Sequence, residues 1–254
     1  MEVSLPIGKP SGGSLIYKEI QKSFVRFWTF RKTGVVVSVV VTVALLFFLD
    51  YLGLDFALSY AGFENGVWKW KDWWLWKWMY DYGPYPSLAL GIGSLLYGVF
   101  LVFRKSPKKK VFWALYPFAC LVLAPGIFVN SVGKDHWGRP RPREVQEFGG
   151  SKEYRPFWSP NFTEKAKSFP SGHASVGFHL CCLFMLPGNK RRRICLVFGL
   201  LMGCLIGAAR IAQGGHFITD VVASAGVVIA TCWLLAPSFA WMKKRKLVEE
   251  GTSA

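Results

Sequence analysis

Along most of the chain, apolar and polar positions follow neither the alternation of a half-buried strand nor the stripe of a surface helix. Long, nearly unbroken apolar runs are separated by short polar or charged stretches. A run of about 18 or more apolar residues predicts a helix that crosses a bilayer, since roughly 20 residues span the hydrocarbon. The pattern predicts six: 34–52, 87–103, 111–132, 172–186, 194–209 and 221–241. The fourth and fifth are short, so their ends are expected to run into the flanking polar motifs. The predicted fold class is an all-α integral membrane protein, with an N-terminal arm at 1–33, a six-span domain at 34–241 and a tail at 242–254.

Composition agrees with this reading. The 254 residues are 52% hydrophobic and 17% aromatic, too apolar for an ordinary soluble domain. The six cysteines all fall inside predicted spans, which predicts buried thiols; none has zinc-ligand spacing, and no disulfide framework is expected. The N-terminus has no short apolar segment followed by a small-residue cleavage site, so the first apolar run is expected to remain in place.

The formal charge of +16 is the next constraint. It sits in loops between apolar runs, which points to orientation signals and anionic membrane lipids, and away from nucleic acid. Lys and Arg in short loops mark the cytoplasmic side. The arm (Lys18, Lys22, Arg26, Arg31, Lys32), RKSPKKK at 104–110, NKRRR at 189–193 and KKRK at 243–246 share one side if six spans are crossed. Both termini are then cytoplasmic, and 55–85, 133–171 and 210–220 face outward. One basic cluster, KDHWGRPRPR at 134–143, falls on the outer side against this bias, which suggests a function other than orientation. The outer segment GVWKWKDWWLWKWMY at 66–80 holds six tryptophans with no sustained helical or alternating face. It is expected to lie in the interface of the outer leaflet, with anchoring favoured over sugar stacking or lipid entry.

Three outward clusters carry ionisable chemistry. Lys134 and Arg141 lie in the first, FPSGHAS at 169–175 is the second, and ARIAQGGHFITD at 209–220 is the third. His216 and Asp220 are four apart, on one face if a helix has begun there. A carboxylate on one imidazole nitrogen fixes the tautomer and frees the other to attack. Pro170, Ser171 and Gly172 read as a turn into a helix, whose start favours an anion, and His173 can serve as acid or base. Arg210 and Arg141 are forked donors matched to phosphate oxygens, and Lys134 adds a point charge.

These clusters resemble the three-part signature of the type 2 phosphatidic acid phosphatase (PAP2) superfamily, which pairs KxxxxxxRP, PSGH and SRxxxxxHxxxD. Lys134, Arg141 and Pro142 match the first part, Pro170 to His173 the second, and Arg210, His216 and Asp220 the third, with Ala209 in place of its serine. The resemblance covers 134–220 and leaves the first half of the chain matched only in general plan. It implies that His216 attacks phosphorus, Asp220 orients and stabilises it, and His173 protonates the leaving oxygen and then activates water. Lys134, Arg141, Arg210, Ser171 and the Gly172 backbone would hold the phosphoryl oxygens, with no metal and no cofactor. His136 falls outside the signature and is not expected to be catalytic.

Within the superfamily the three segments most resemble bacterial lipid A phosphatases. That implies a lipid phosphate substrate in the outer leaflet of the bacterial inner membrane, with the site facing the periplasm. Arg139 and Arg143 are candidates for the rest of an anionic head group, as are Arg155, Lys165 and Lys167, although these also fit general attraction to anionic lipid. Rival readings keep the chemistry and change the lipid, to undecaprenyl pyrophosphate or phosphatidylglycerol phosphate. Two others change the class: a vanadium-dependent haloperoxidase, which is soluble, and a non-catalytic lipid-phosphate binder, which has no use for two histidines and an aspartate.

Overall fold

A computed structural model describes residues 12–186 and 188–251, with side chains described over 32–186 and 188–236. The N-terminal arm from 1 to 31 and the tail from 242 onward therefore lie outside the described side chains. The chain begins with α1 (Gly12–Tyr51) and the short α2 (Leu54–Gly62). A two-stranded hairpin, β1 (Phe63–Glu64) and β2 (Val67–Trp68), leads into α3 (Trp74–Asp81) and α4 (Tyr85–Phe103). Then come α5 (Lys108–Leu121), α6 (Gly172–Phe178), α7 (Arg192–Ala212) and α8 (Ile218–Gly251).

Five helices are long and apolar enough to cross a membrane: Lys32–Tyr51, Trp74–Phe103, Lys108–Lys134, Arg192–Ala212 and Ile218–Ala236. The pattern predicted six, and the fourth is the exception. Residues 172–186 form α6 and a tighter 3-10 continuation, His179–Met185, together shorter than the other five. Most of their side chains are buried between α5, α7 and α8, so this segment is apolar because it is core. The outward faces of α1, α4 and α7 are instead exposed and apolar, as at Val40, Phe48, Leu96, Phe100, Val197 and Leu201. A soluble protein does not expose a continuous band of this kind.

The helices pack closely through small residues. A side chain at Gly203 would run into the Phe178 ring, and one at Gly91 or Gly98 would strike Leu121 or Leu115, so α6 nests on α7 and α4 on α5. The central core joins Cys120, Phe178, Cys182, Val228 and Cys232. The six cysteines are free thiols; four are buried, while Cys195 is half-buried and Cys204 exposed, against the expectation that all would be buried. Cys204 lines an apolar groove with Val41 of α1 and Val221 of α8.

Two features set the positions of polar groups. Beyond α5 the helix widens into a π-helix over Val122–Lys134, with Pro125 inside it. Proline has no N–H to donate, so the regular ladder cannot run through it. In the widened turns the Asn130 amide donates to the Pro125 carbonyl (2.7 Å), and Lys134 ends the helix. The Trp-rich segment, read from the sequence as interfacial with no sustained helical face, is helical from Trp74, and Met79 packs on Ile206 and Ala209 of α7. Asp72 and Trp73 broke the pattern because they form the turn before that helix. Trp70, Trp74 and Trp78 remain exposed, as interfacial aromatics would.

Candidate active site

The three sequence clusters converge through backbone contacts. The Arg143 amide donates to the Gly214 carbonyl (3.1 Å), joining the first loop to the turn before α8. The Ser168 amide donates to the Arg139 carbonyl (2.9 Å), and the Ser171 amide to the Asp220 carbonyl (3.1 Å). A cavity of about 320 Å³ forms where they meet, lined by Lys134, Arg141, Arg143, His173, Arg210 and His216. Lys71, Lys77 and Tyr80, from the Trp-rich segment, close it on another side. Ser171 and Gly172 sit behind this lining. A side chain at Gly172 would come within 2.6 Å of the Asn130 Oδ1 and 3.5 Å of the Lys134 Nζ, so the close approach requires glycine.

His216 is almost completely buried. Its Nδ1 lies 2.7 Å from the Ser168 carbonyl and 3.5 Å from Asp220 Oδ2. A carbonyl only accepts, so Nδ1 carries the ring proton and Nε2 keeps its lone pair. Burial lowers the His216 pKa, and Asp220 works in the opposite direction. Burial therefore favours the neutral ring. Asp220 is fully buried; its Oδ2 accepts from the Ser168 hydroxyl (2.6 Å) and the Phe217 amide (2.8 Å).

The cations around His216 have specific supports. Arg210 Nη1 donates to Gln213 Oε1 (2.6 Å), and its guanidinium lies 4.6 Å from the Tyr80 ring centre. Tyr80 also stacks on His173, with centroids 4.7 Å apart. Among the described residues, buried Arg141 Nε, Arg210 Nε and Ser171 Oγ have no hydrogen-bond partner in the protein. Buried donors are rarely left unmatched, so three of them beside one cavity mark a place for an anion with several acceptors. Ala209, where the family signature has serine, packs with Met79 and Ile206 in an apolar cluster.

Arg139 corrects the sequence reading. It was a head-group candidate, but it is fully buried and does not line the cavity. It pairs with Asp55 (2.6 Å) and Asp220 (2.5 Å) and donates to Thr219 Oγ1 and the Arg155 carbonyl. Burial disfavours its charge, but Asp220 and Asp55 outweigh that and hold its pKa above the ordinary guanidinium value. Arg143 is exposed and lines the cavity. Lys167 is tied to Asp135 and Arg155 lies near Glu164, while His136 lines an apolar groove elsewhere.

Sequence reasoning missed Asp55, Ser168, Thr219, Gln213 and Tyr80. Ser168 and Thr219 adjoin recognised motifs. Asp55 had one local signal, an acid opening the apolar run DFALSYAG.

An α-helical core that gathers two histidines, an aspartate and several cations around one anion pocket defines the class. The chain belongs to the PAP2 superfamily, whose family model matches residues 113–246. Among characterised proteins it is similar to the lipid A 4'-phosphatase of Francisella tularensis subsp. novicida (strain U112), 36% identical over 146 residues, which cover 57% of this chain and 63% of that protein. The lipid A 4'-phosphatase of Rhizobium leguminosarum is 35% identical over 104 residues, 40% of this chain and 44% of that one. The chain thus spans less than two thirds of the length of these relatives. No solved structure matches it.

Proposed function

We propose that the protein is an integral membrane phosphatase that removes the 4'-phosphate of lipid A at the periplasmic face of the bacterial inner membrane, through a phosphohistidine intermediate and without a metal. The observation that carries the chemistry is the pairing of a buried His216, its Nε2 freed by the Nδ1 contact, with unmatched donors on Arg141, Arg210 and Ser171. The names of the relatives support lipid A and the 4' position.

The His216 Nε2 lone pair forms a bond to phosphorus as the bond to the leaving sugar oxygen breaks, and His173 gives that oxygen its proton. The phosphorylated ring keeps the Nδ1 proton and is cationic, which Asp220 stabilises. His173 then takes a proton from water, the new P–O bond forms, the P–N bond breaks, and phosphate leaves. Lys134, Arg141 and Arg210 neutralise the oxygens throughout; in phosphoryl transfer, positioning and charge supply most of the acceleration.

An apolar groove of about 940 Å³ supports an amphiphilic substrate. Trp70, Trp73 and Trp76 face it, while Lys71 and Lys77 from the same segment face the phosphate cavity. The α6 segment bears on the orientation. At ~1.5 Å per α-helical residue and ~2.0 Å per 3-10 residue, Gly172–Met185 extends about 25 Å, close to the hydrocarbon thickness. A sixth crossing there returns the basic loops to one side.

The test is phosphate release by the purified protein in detergent with EDTA present. Lipid A carrying only the 4'-phosphate should be hydrolysed, and lipid A carrying only the 1-phosphate, undecaprenyl pyrophosphate and phosphatidylglycerol phosphate much more slowly. His216→Ala should lose at least about a thousandfold in kcat. A requirement for a divalent ion, or activity retained in His216→Ala, overturns the mechanism. Preference for either other lipid overturns the substrate.

A further inference from the structure

The site described above leaves one buried group without a role. Asp55, at the start of α2, lies outside the stretch matched by the family, yet it reaches Arg139 behind the His216–Asp220 pair. Asp55, Arg139 and Asp220 are all 2% exposed or less. Asp55 also accepts from the Thr219 amide (3.1 Å), the Thr219 hydroxyl (2.8 Å) and the Tyr154 hydroxyl (3.1 Å).

The charges do not cancel. Two carboxylates share one guanidinium, which leaves one net negative charge in the buried interior. Such a charge is costly unless a cation meets it. Tyr154 cannot, because a phenol is never cationic; burial, reinforced by Asp55, raises its pKa and keeps it a neutral donor. The group next to the carboxylates that can become cationic is the His216 ring, 3.5 Å from Asp220 Oδ2. If Arg139 faced Asp220 alone, the pair would be neutral and Asp220 would offer His216 little field.

We infer that Asp55 is a positioning residue: by holding one arm of the Arg139 guanidinium, it keeps the negative charge of Asp220 available to the cation that forms on His216. The inference rests on His216 being the group phosphorylated. The cations facing His216 oppose a cation there: Arg210 from α7, Lys134 from the widened helix, Arg141 and Arg143 from the first loop, and Lys71 and Lys77 from the Trp-rich segment, with His173 of α6 adding to this when protonated; Asp72 and Asp81 line the same cavity beside those two lysines. The Asp55–Arg139–Asp220 set is the buried counterweight that reaches the ring itself, through Asp220.

Charge counting gives opposite signs for two substitutions. Asp55→Asn makes the set neutral, so the His216 cation loses support. The acid limb of the kcat/KM profile should move down by about half a pH unit or more, and kcat should fall about tenfold, with KM unchanged. Arg139→Gln leaves two negative charges, and the acid limb should move up. The double variant restores a single negative charge, and its acid limb should return close to that of the parent protein. A role limited to packing would lower the melting temperature of each variant and move no limb. The measurements use the full chain in detergent with lipid A, and His216→Ala as reference. Shifts of one sign in both single variants, or unmoved limbs while His216→Ala is inactive, overturn the inference alone. Activity in His216→Ala overturns it together with the proposed mechanism. If Asp55→Asn does not fold, Arg139→Gln still decides, since an acid limb that stays or falls overturns it.

Discussion

Arg139 and Arg141 stand two positions apart in GRPRP and look equivalent, yet one is sealed behind Asp220 while the other faces the cavity. Spacing singled out Lys134, Arg141, His173, Arg210 and His216, which line one cavity, because each motif is local and its residues fall on one short loop or helix end. It could not separate Arg139 from a surface cation, because the carboxylates that bury it come from Asp55 and Asp220, more than 80 positions away in either direction. Gly172 offers a test at this scale. In Gly172→Ala the added methyl would crowd Asn130, which is held by its bond to the Pro125 carbonyl, and would press toward the Lys134 ammonium. With Lys134 displaced, kcat/KM should fall about tenfold or more and inhibition by inorganic phosphate should weaken, both measurable in detergent without loss of fold.

At the scale of elements, five apolar runs announced their helices, since length and hydropathy alone make a helix that can cross a bilayer. The fourth was legible as apolar but not as core. Burial between helices and exposure to lipid favour the same residues, and only the packing of α6 against α7 tells them apart. Similarly, the tryptophan run concealed α3 because its turn and its first helical residues share one composition. The contact of Gly203 with Phe178 measures how tightly α6 is seated. Gly203→Ala places a carbon where the ring lies and should cost about 1–3 kcal/mol, seen as a lower thermal midpoint in detergent. An unchanged midpoint would mean that α6 can shift away from α7.

For the whole molecule, the proposed orientation makes a direct prediction. In spheroplasts, a membrane-impermeant maleimide should label Ser151→Cys at once and Lys109→Cys only after lysis, above the background of native thiols. The reverse order would invert the topology and put the cavity in the cytoplasm. The charge bias that supports this orientation was readable in the sequence; the meeting of three distant loops on one cavity was readable only as a shared side. The Asp55 contact also bears on where a unit of this protein begins. The stretch held in common with the family starts at residue 113, well past Asp55. A chain trimmed to that stretch would keep every signature residue but leave Arg139 with half its counter-charge and Thr219 without the carboxylate it now meets. Losing one partner of a buried ion pair costs about 3–5 kcal/mol. The shared stretch is therefore a recognisable portion of the sequence but not a detachable module, and α2 belongs to the same folded body as fully as α8 does.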